Sequence, residues 1–293
     1  MTDHTDHTDQ VALPGGPRLL STRMVEKVWG RTVLPEPFTA PRDSRIGEIW
    51  FEPPPEMADL LVKYLFTSEK LSVQVHPSDE NALPGEAGKE ECWLVLDAQP
   101  GARLAIGFED VITPARIEAA ARDGTIEDLL RWHAVAAGDV FYLPAGTVHA
   151  IGPGLALVEV QQNSDTTFRL YDYGRPRDLH LERAITVADG KPYAAEHRSA
   201  ISERHTQLID GKRFRLDRIE GVPDAAIAAC YSGALLALPL SGSIAFAHAG
   251  GPAQADGVVS SARVEPGQCA YAPSLDMIDF SAAGVTLLTR PQG

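Results

Sequence analysis

Hydrophobic and polar positions along this chain alternate in short runs that end at glycine or proline. In "EKLSVQVHPSDE" (residues 69–80), Leu71, Val73 and Val75 alternate with Ser72, Gln74 and His76. That period of two predicts a strand with one apolar and one polar face, stopped by Pro77. Runs of the same kind predict strands over 45–52 ("RIGEIWFE"), 91–98 ("ECWLVLDA"), 102–108 ("ARLAIGF"), 139–144 ("DVFYLP") and 155–162 ("LALVEVQQ"). Many short strands at this spacing predict a sandwich or barrel.

One helical island interrupts the strands. "TPARIEAAARDG" has Thr113 as cap, Pro114 at the first helical position and Gly124 past the end. "TIEDLLRW" reads as a second short helix capped by Thr125, with Asp128 three residues on. From about residue 185 the pattern returns to strands. A faint repeat links the halves: Gly138, five residues, Pro144, and five further His149; then Gly267, five residues, Pro273, and five further Ile278. The second half reads as a copy of the scaffold without the polar group.

Composition narrows the function classes. The chain has 293 residues, 44% of them hydrophobic, enough for one large or two moderate cores. A formal net charge of −14 disfavours nucleic acid or an anionic membrane as the main partner. An anionic small molecule would need a local cluster of Arg and Lys. Three scattered cysteines, Cys92, Cys230 and Cys269, form no disulfide or zinc-knuckle pattern, so a reducing cytoplasm is expected. No apolar run reaches the ~18–20 residues of a membrane span. The start, "MTDHTDHTDQ", reads as a solvated tail and not as a secretory signal; His4 and His7 could hold a metal only loosely. The pattern leaves the oligomeric state open.

Four side chains could converge on one centre. Gln74 and His76 share a strand face, Glu91 opens the strand at 91–98, and His149 follows a turn in which Gly146 can take a positive φ. Two imidazoles, a carboxylate and a carboxamide oxygen form a mixed nitrogen and oxygen set suited to zinc, with manganese, iron or cobalt as alternatives. Cys92, next to Glu91, should face the opposite way and belong to the core.

The string "GDVFYLPAGTVHAIG" fits the second cupin signature through Gly138, Pro144, Gly146 and His149, with Pro153 where an asparagine is expected. The His-x-His of the first signature is replaced by Gln-x-His, a trait of the type I mannose-6-phosphate isomerases. Together with "KEECW" and "NSDTTFRLYDYGR", these strings make residues 20 to 185 resemble the short bacterial members of that family. The resemblance implies a mainly β chain of cupin-type double-stranded β-helix (jelly-roll) barrels with a small helical segment. With the N-terminal composition and the faint repeat, this predicts a disordered tail over 1–17, a metal-binding cupin domain over 18–185 with a helical insertion at about 113–132, and a degenerate cupin-like β domain over 186–293.

The resemblance also implies an activity and roles. The reaction would interconvert mannose 6-phosphate and fructose 6-phosphate through a cis-enediol. Zinc would be held by Gln74, His76, Glu91 and His149, one ion per chain. Arg169 would be catalytic and would contact substrate, Lys89 and Glu159 would be polar active-site groups, and Lys63 would bind substrate. The base is either Glu159 or a water or hydroxide on the zinc. Arg169 either holds the phosphate or stabilises the enediolate. Arg175 and Arg177 either join the cationic cluster or are surface charges at a turn, and Trp93 and Phe168 either stack on the sugar or fill the core. Two other functions stand beside this one. One is a different metal-dependent cupin enzyme, an epimerase or dioxygenase, although Gln74 in place of histidine argues against an iron oxygenase. The other is a sugar-phosphate-binding cupin without catalysis.

Overall fold

The computed structural model describes residues 16–247 and 263–292. The expected tail, with His4 and His7, falls almost wholly outside them. Among the described residues four antiparallel sheets are formed. A seven-stranded sheet runs in the order Arg198–Ala200, Asp139–Leu143, Glu91–Ala98, Leu155–Gln162, Leu60–Phe66, Ile46–Phe51, Thr22–Arg31. A five-stranded sheet runs Phe168–Tyr171, Val73–Val75, His149–Ile151, Arg103–Phe108, Leu130–Ala134. A six-stranded sheet runs Arg18–Leu19, Ala270–Ala272, Leu235–Pro239, Val285–Pro291, Phe214–Glu220, Thr206–Asp210, and a three-stranded sheet joins Arg263–Val264, Ile244–Phe246 and Ile278–Asp279.

Strand alternation stacks these sheets as layers. Leu65, Trp93, Val95 and Leu157 of the seven-stranded sheet face Leu104, Ile106 and Ile151 of the five-stranded sheet, closing the first barrel. The neighbouring residues, Val62, Tyr64, Phe66, Cys92 and Val158, point the other way, against Phe214, Leu216, Leu236 and Leu287 of the six-stranded sheet. Cys92 thus lies in the core behind the barrel wall, as the alternation requires. The outer face of the five-stranded sheet is covered by a helix over Pro114–Asp123, a short one over Ile126–Leu129 and one over Leu181–Val187. Within the second barrel, Asp217 accepts from Arg215 Nε at 2.6 Å and from the Tyr231 hydroxyl at 2.7 Å, all three side chains being buried.

The mainly β expectation holds, and the strands at 91–98 and 155–162 have the expected ends. Other elements depart from it. Only Val73–Val75 of the run 69–76 is paired as a strand. The second helix stops at Leu129, because Leu130–Ala134 takes up ladder bonds with Arg103–Phe108, setting Leu130 opposite Phe108. Thr125 does not cap it; its backbone N–H and hydroxyl both donate to Asp123. Beyond residue 185 the chain is not strands alone: "DAAIAAC" forms a helix over Ala225–Cys230, where the Asp224 side chain accepts the Ile227 N–H at 2.8 Å. The repeat has a structural counterpart. Gly138 and Gly267 have φ of 92° and 86°, each turning the chain into a strand, and His149 and Ile278 each open the next one.

Phe66 sits between the seven- and six-stranded sheets, with Phe38 edge-on at 5.6 Å and Tyr64 stacked at 6.1 Å. Phe66→Ala should cost about 3–5 kcal/mol of stability, read as a lower urea midpoint. The change faces away from the first barrel's interior, so metal uptake by the folded variant should match that of the parent protein.

Candidate metal centre and active site

Strand register brings the polar side chains of the first barrel together. On the seven-stranded sheet Glu159 pairs with Lys63 on one side and with Trp93 on the other, and two residues along Gln161 pairs with Glu91. On the five-stranded sheet Gln74 pairs with His149 on one side and Arg169 on the other. These rows face each other across the barrel, and His76 joins them from just beyond the end of its strand. The turn before His149 depends on Gly146, with φ of 86°. A Cβ there would lie 2.9 Å from the Val187 carbonyl oxygen.

His76, Glu91 and His149 offer ligand atoms that all lie within 4.8 Å of one another, and all three side chains are buried. His76 Nε2 is 3.2 Å from Glu91 Oε1, and His149 Nε2 is 3.8 Å from Glu91 Oε2. The outer ring nitrogens are engaged: His76 Nδ1 donates to the Thr166 carbonyl at 2.8 Å and His149 Nδ1 to the Thr147 carbonyl at 2.9 Å. Those bonds aim both Nε2 lone pairs at the common centre, the usual way protein fixes a metal-binding imidazole. His76 Nε2 and Glu91 Oε2 are buried with no hydrogen-bond partner. Orphaned acceptors converging on one point are what a divalent cation would satisfy.

Gln74 reaches the same centre by its other end. Its Nε2 lies 3.2 Å from His149 Nε2, while its Oε1 accepts from the Ser72 hydroxyl at 3.1 Å. A half-turn of the carboxamide exchanges the two ends, and Ser72 can then accept where it now donates.

The electrostatics match this arrangement. Burial, only partly offset by Glu91, pushes His149 down to about 3, and burial with the nearby Lys89 lowers His76, so both imidazoles are neutral. Burial works to raise Glu91, but the Lys89 ammonium at 2.9 Å leads the influences that outweigh it and hold the carboxyl well below its ordinary range. Glu159 differs: burial and then repulsion from Glu91 raise it, although Lys63 Nζ lies 2.8 Å away. The indole N–H of Trp93 donates to the second oxygen of Glu159 at 2.9 Å.

Lys63, Lys89 and Glu159 are buried in the barrel, and Glu159 sits on an inner strand, not on a solvent-facing edge. Lys27, Lys63, Lys89, Arg169 and Arg177 line one cavity together with Glu48, Glu91 and Glu159, five cations against three anions. Arg169 Nε is buried without a hydrogen-bond partner. Arg177 is forked onto Asp172 at 2.5 and 2.7 Å, and Arg175 bonds Asp172 and the Lys70 carbonyl, each at 2.8 Å. Trp93 lines the cavity, whereas Phe168 packs with the helices on the far side of the five-stranded sheet.

Sequence reasoning missed Glu48 and Lys27. Glu48 is buried, accepts from Trp50 Nε1 at 2.8 Å, and lies 3.3 Å from Lys27 Nζ and 4.0 Å from Lys63 Nζ. The run "RIGEIWFE" marks a strand but carries no sign that its acid faces two lysines.

No family model matches the chain. Over 156 residues it is 44% identical to the mannose-6-phosphate isomerase ManA of Bacillus subtilis (strain 168), a match covering 50% of this chain and 47% of that protein. It is 45% identical over 142 residues to the mannose-6-phosphate isomerase of Streptococcus mutans, covering 45% of each. The chain therefore spans about half the length of the curated relatives it matches. Among solved structures, the mannose 6-phosphate isomerase of Bacillus subtilis superposes with a TM-score of 0.75 at 24% identity, covering 94% of this chain and 99% of that one. A variant of the phosphomannose isomerase from Salmonella typhimurium gives 0.69 at 15% identity, covering 95% and 100%. The resemblance read from the motifs stands, and the fold is the cupin fold of these structures.

Purified protein should carry about one equivalent of a divalent metal by elemental analysis. Glu91→Gln and His149→Ala should each weaken retention against a chelator by more than ~100-fold, beyond the roughly 10–100-fold typical of losing an outer hydrogen-bond partner.

Proposed function

We propose that this chain is a metal-dependent aldose–ketose isomerase that interconverts mannose 6-phosphate and fructose 6-phosphate. The observation that carries the reading is the convergence of Gln74, His76, Glu91 and His149 beside a buried carboxylate, Glu159, in a cavity with an excess of cationic side chains. His76, Glu91 and His149 would hold the ion and Gln74 would complete the set once its oxygen is turned inward; zinc is the ion favoured by two neutral imidazoles and one carboxylate. When bound, the ion would act as a Lewis acid toward the sugar's C1 and C2 oxygens.

The protein's own groups supply the proton transfer. Isomerisation removes the C2 proton of the aldose, forms a cis-enediol and returns a proton to C1. Glu159 is the group we assign to this task. Its raised affinity for a proton makes it a stronger base than an ordinary carboxylate, and Lys63 and Trp93 hold its two oxygens in place. Lys89, beside Glu91, would donate to a sugar hydroxyl. Arg169, with an unpaired buried N–H, would bind the phosphate or the enediolate, and Arg177 and Lys27 widen the cationic side of the cavity. A cytoplasmic setting is supported by three cysteines that are all unpaired. Among the described residues no helix is long and apolar enough to cross a membrane.

A coupled assay of fructose 6-phosphate formation, run with and without chelator, tests the reading; no turnover with any divalent metal would refute it. Arg169→Ala and Glu159→Gln should each fold and keep metal while kcat falls by about 10²–10⁴-fold, the usual weight of a positioned acid–base or charge-stabilising group. Unchanged kcat in either variant would remove that residue from the mechanism.

A further inference from the structure

Residues 77–90 join the strand that carries Gln74 to the strand that opens with Glu91, and they deliver His76 and Lys89 at their two ends. The segment forms no helix or strand, so hydrogen bonds set its course. The Lys89 N–H donates to the Pro77 carbonyl at 2.9 Å, closing the segment on itself. Asp79 is the knot of the loop. Its Oδ1 accepts the Gly88 N–H at 2.6 Å and Gln162 Nε2 at 3.2 Å. Gln162 Oε1 in turn accepts the Glu90 N–H at 3.0 Å, between Lys89 and Glu91. The packing at Gly88 is tight: a Cβ there would lie 2.4 Å from the Asp79 nitrogen.

The other oxygen of Asp79 is held from the opposite half of the molecule. Arg213 lies in the turn between the strands Thr206–Asp210 and Phe214–Glu220, and its guanidinium pairs with Asp79 Oδ2. The Arg213 carbonyl accepts the Gln292 N–H at 2.7 Å, which anchors that turn to the C-terminal strand. Around this pair lies a cavity of about 480 Å³ whose walls include Asp59, Asp79, Gln162, Asn163, Arg213 and Gln292. This edge of the junction between the two barrels is thus polar, in contrast to the apolar face around Phe66.

We propose that Arg213 is a positioning residue for the metal centre. The second barrel, through Arg213 and Asp79, fixes the loop that places Lys89 and Glu91. The kinetic consequence rests on the isomerase reading above; the effect on the loop and on the metal does not.

The test uses the full-length metal-loaded protein with Arg213→Ala, Asp79→Asn and the double variant. Asp79→Asn keeps an oxygen for the Gly88 N–H and loses the charge that Arg213 pairs with, so it isolates the tie between barrels. Hydrogen exchange of the amides of residues 77–90 should quicken by about 3–10-fold in each variant, the scale expected for losing a half-exposed ion pair. Zinc release to a chelator should quicken by a similar factor, kcat should fall more than KM rises, and the double variant should match the single ones. Arg213→Lys should restore part of each effect. Unchanged exchange and zinc release, or additive effects in the double variant, would overturn the proposal. So would a loss that merely follows a lower unfolding temperature. If the parent protein shows no turnover, the isomerase reading fails, while exchange and zinc release still decide the role of Arg213.

Discussion

Buried charge is the constraint on which the first barrel depends. Glu48, Glu91 and Glu159 are only 7%, 1% and 2% exposed. An ionised carboxylate in such surroundings costs several kcal/mol unless cations and hydrogen bonds offset its lost hydration. Lys63 serves Glu159 and Glu48, Lys89 serves one oxygen of Glu91, and the indoles of Trp50 and Trp93 supply two further donors. What is left over, one Glu91 oxygen and the inner nitrogen of His76, is acceptor only, and the inner nitrogen of His149 meets nothing but the Gln74 amide at 3.2 Å. The proposed chemistry starts from that local arrangement: unpaired acceptors converging on one point suit a divalent ion even though the cavity as a whole is lined by more cations than anions.

The strand register turns this constraint into geometry. Lys63, Glu159 and Trp93 lie on three neighbouring strands, so no loop has to be ordered to bring them together. His149 and Gln74 are cross-strand neighbours in the same sense. His76 and Lys89 rest on an irregular segment, and it is there that Arg213 of the second barrel pairs with Asp79 of the first.

Much of this was legible in the sequence. Period-two alternation located the strands that carry Glu91 and Glu159, and the string around Gly146 and His149 marked a turn and a candidate ligand. Alternation also turned Cys92 away from the face of Glu91 and into the core, where it lies. Other features depend on tertiary contacts. "LLRW" has helical character locally, yet ladder bonds to Arg103–Phe108 draw residues 130–134 into a sheet. The Asp224 cap precedes a helix too short for its period to register. Glu48 looks like any acid in a strand, and its place between Lys27 and Lys63 exists only once three strands are paired. The Arg213–Asp79 pair joins residues more than a hundred positions apart, beyond the reach of any local pattern.

The two barrels differ in how they deal with polarity at their centres. In the second, Arg215, Asp217 and Tyr231 satisfy one another, and Ile278 stands where the faint repeat has His149 in the first. That polar cluster needs no partner from outside the chain. In the first half the unpaired acceptors would be completed by the proposed ion, which would then stabilise the folded state by mass action. Withholding that ion would then loosen the centre of the first barrel while leaving the Arg215–Asp217–Tyr231 cluster of the second intact.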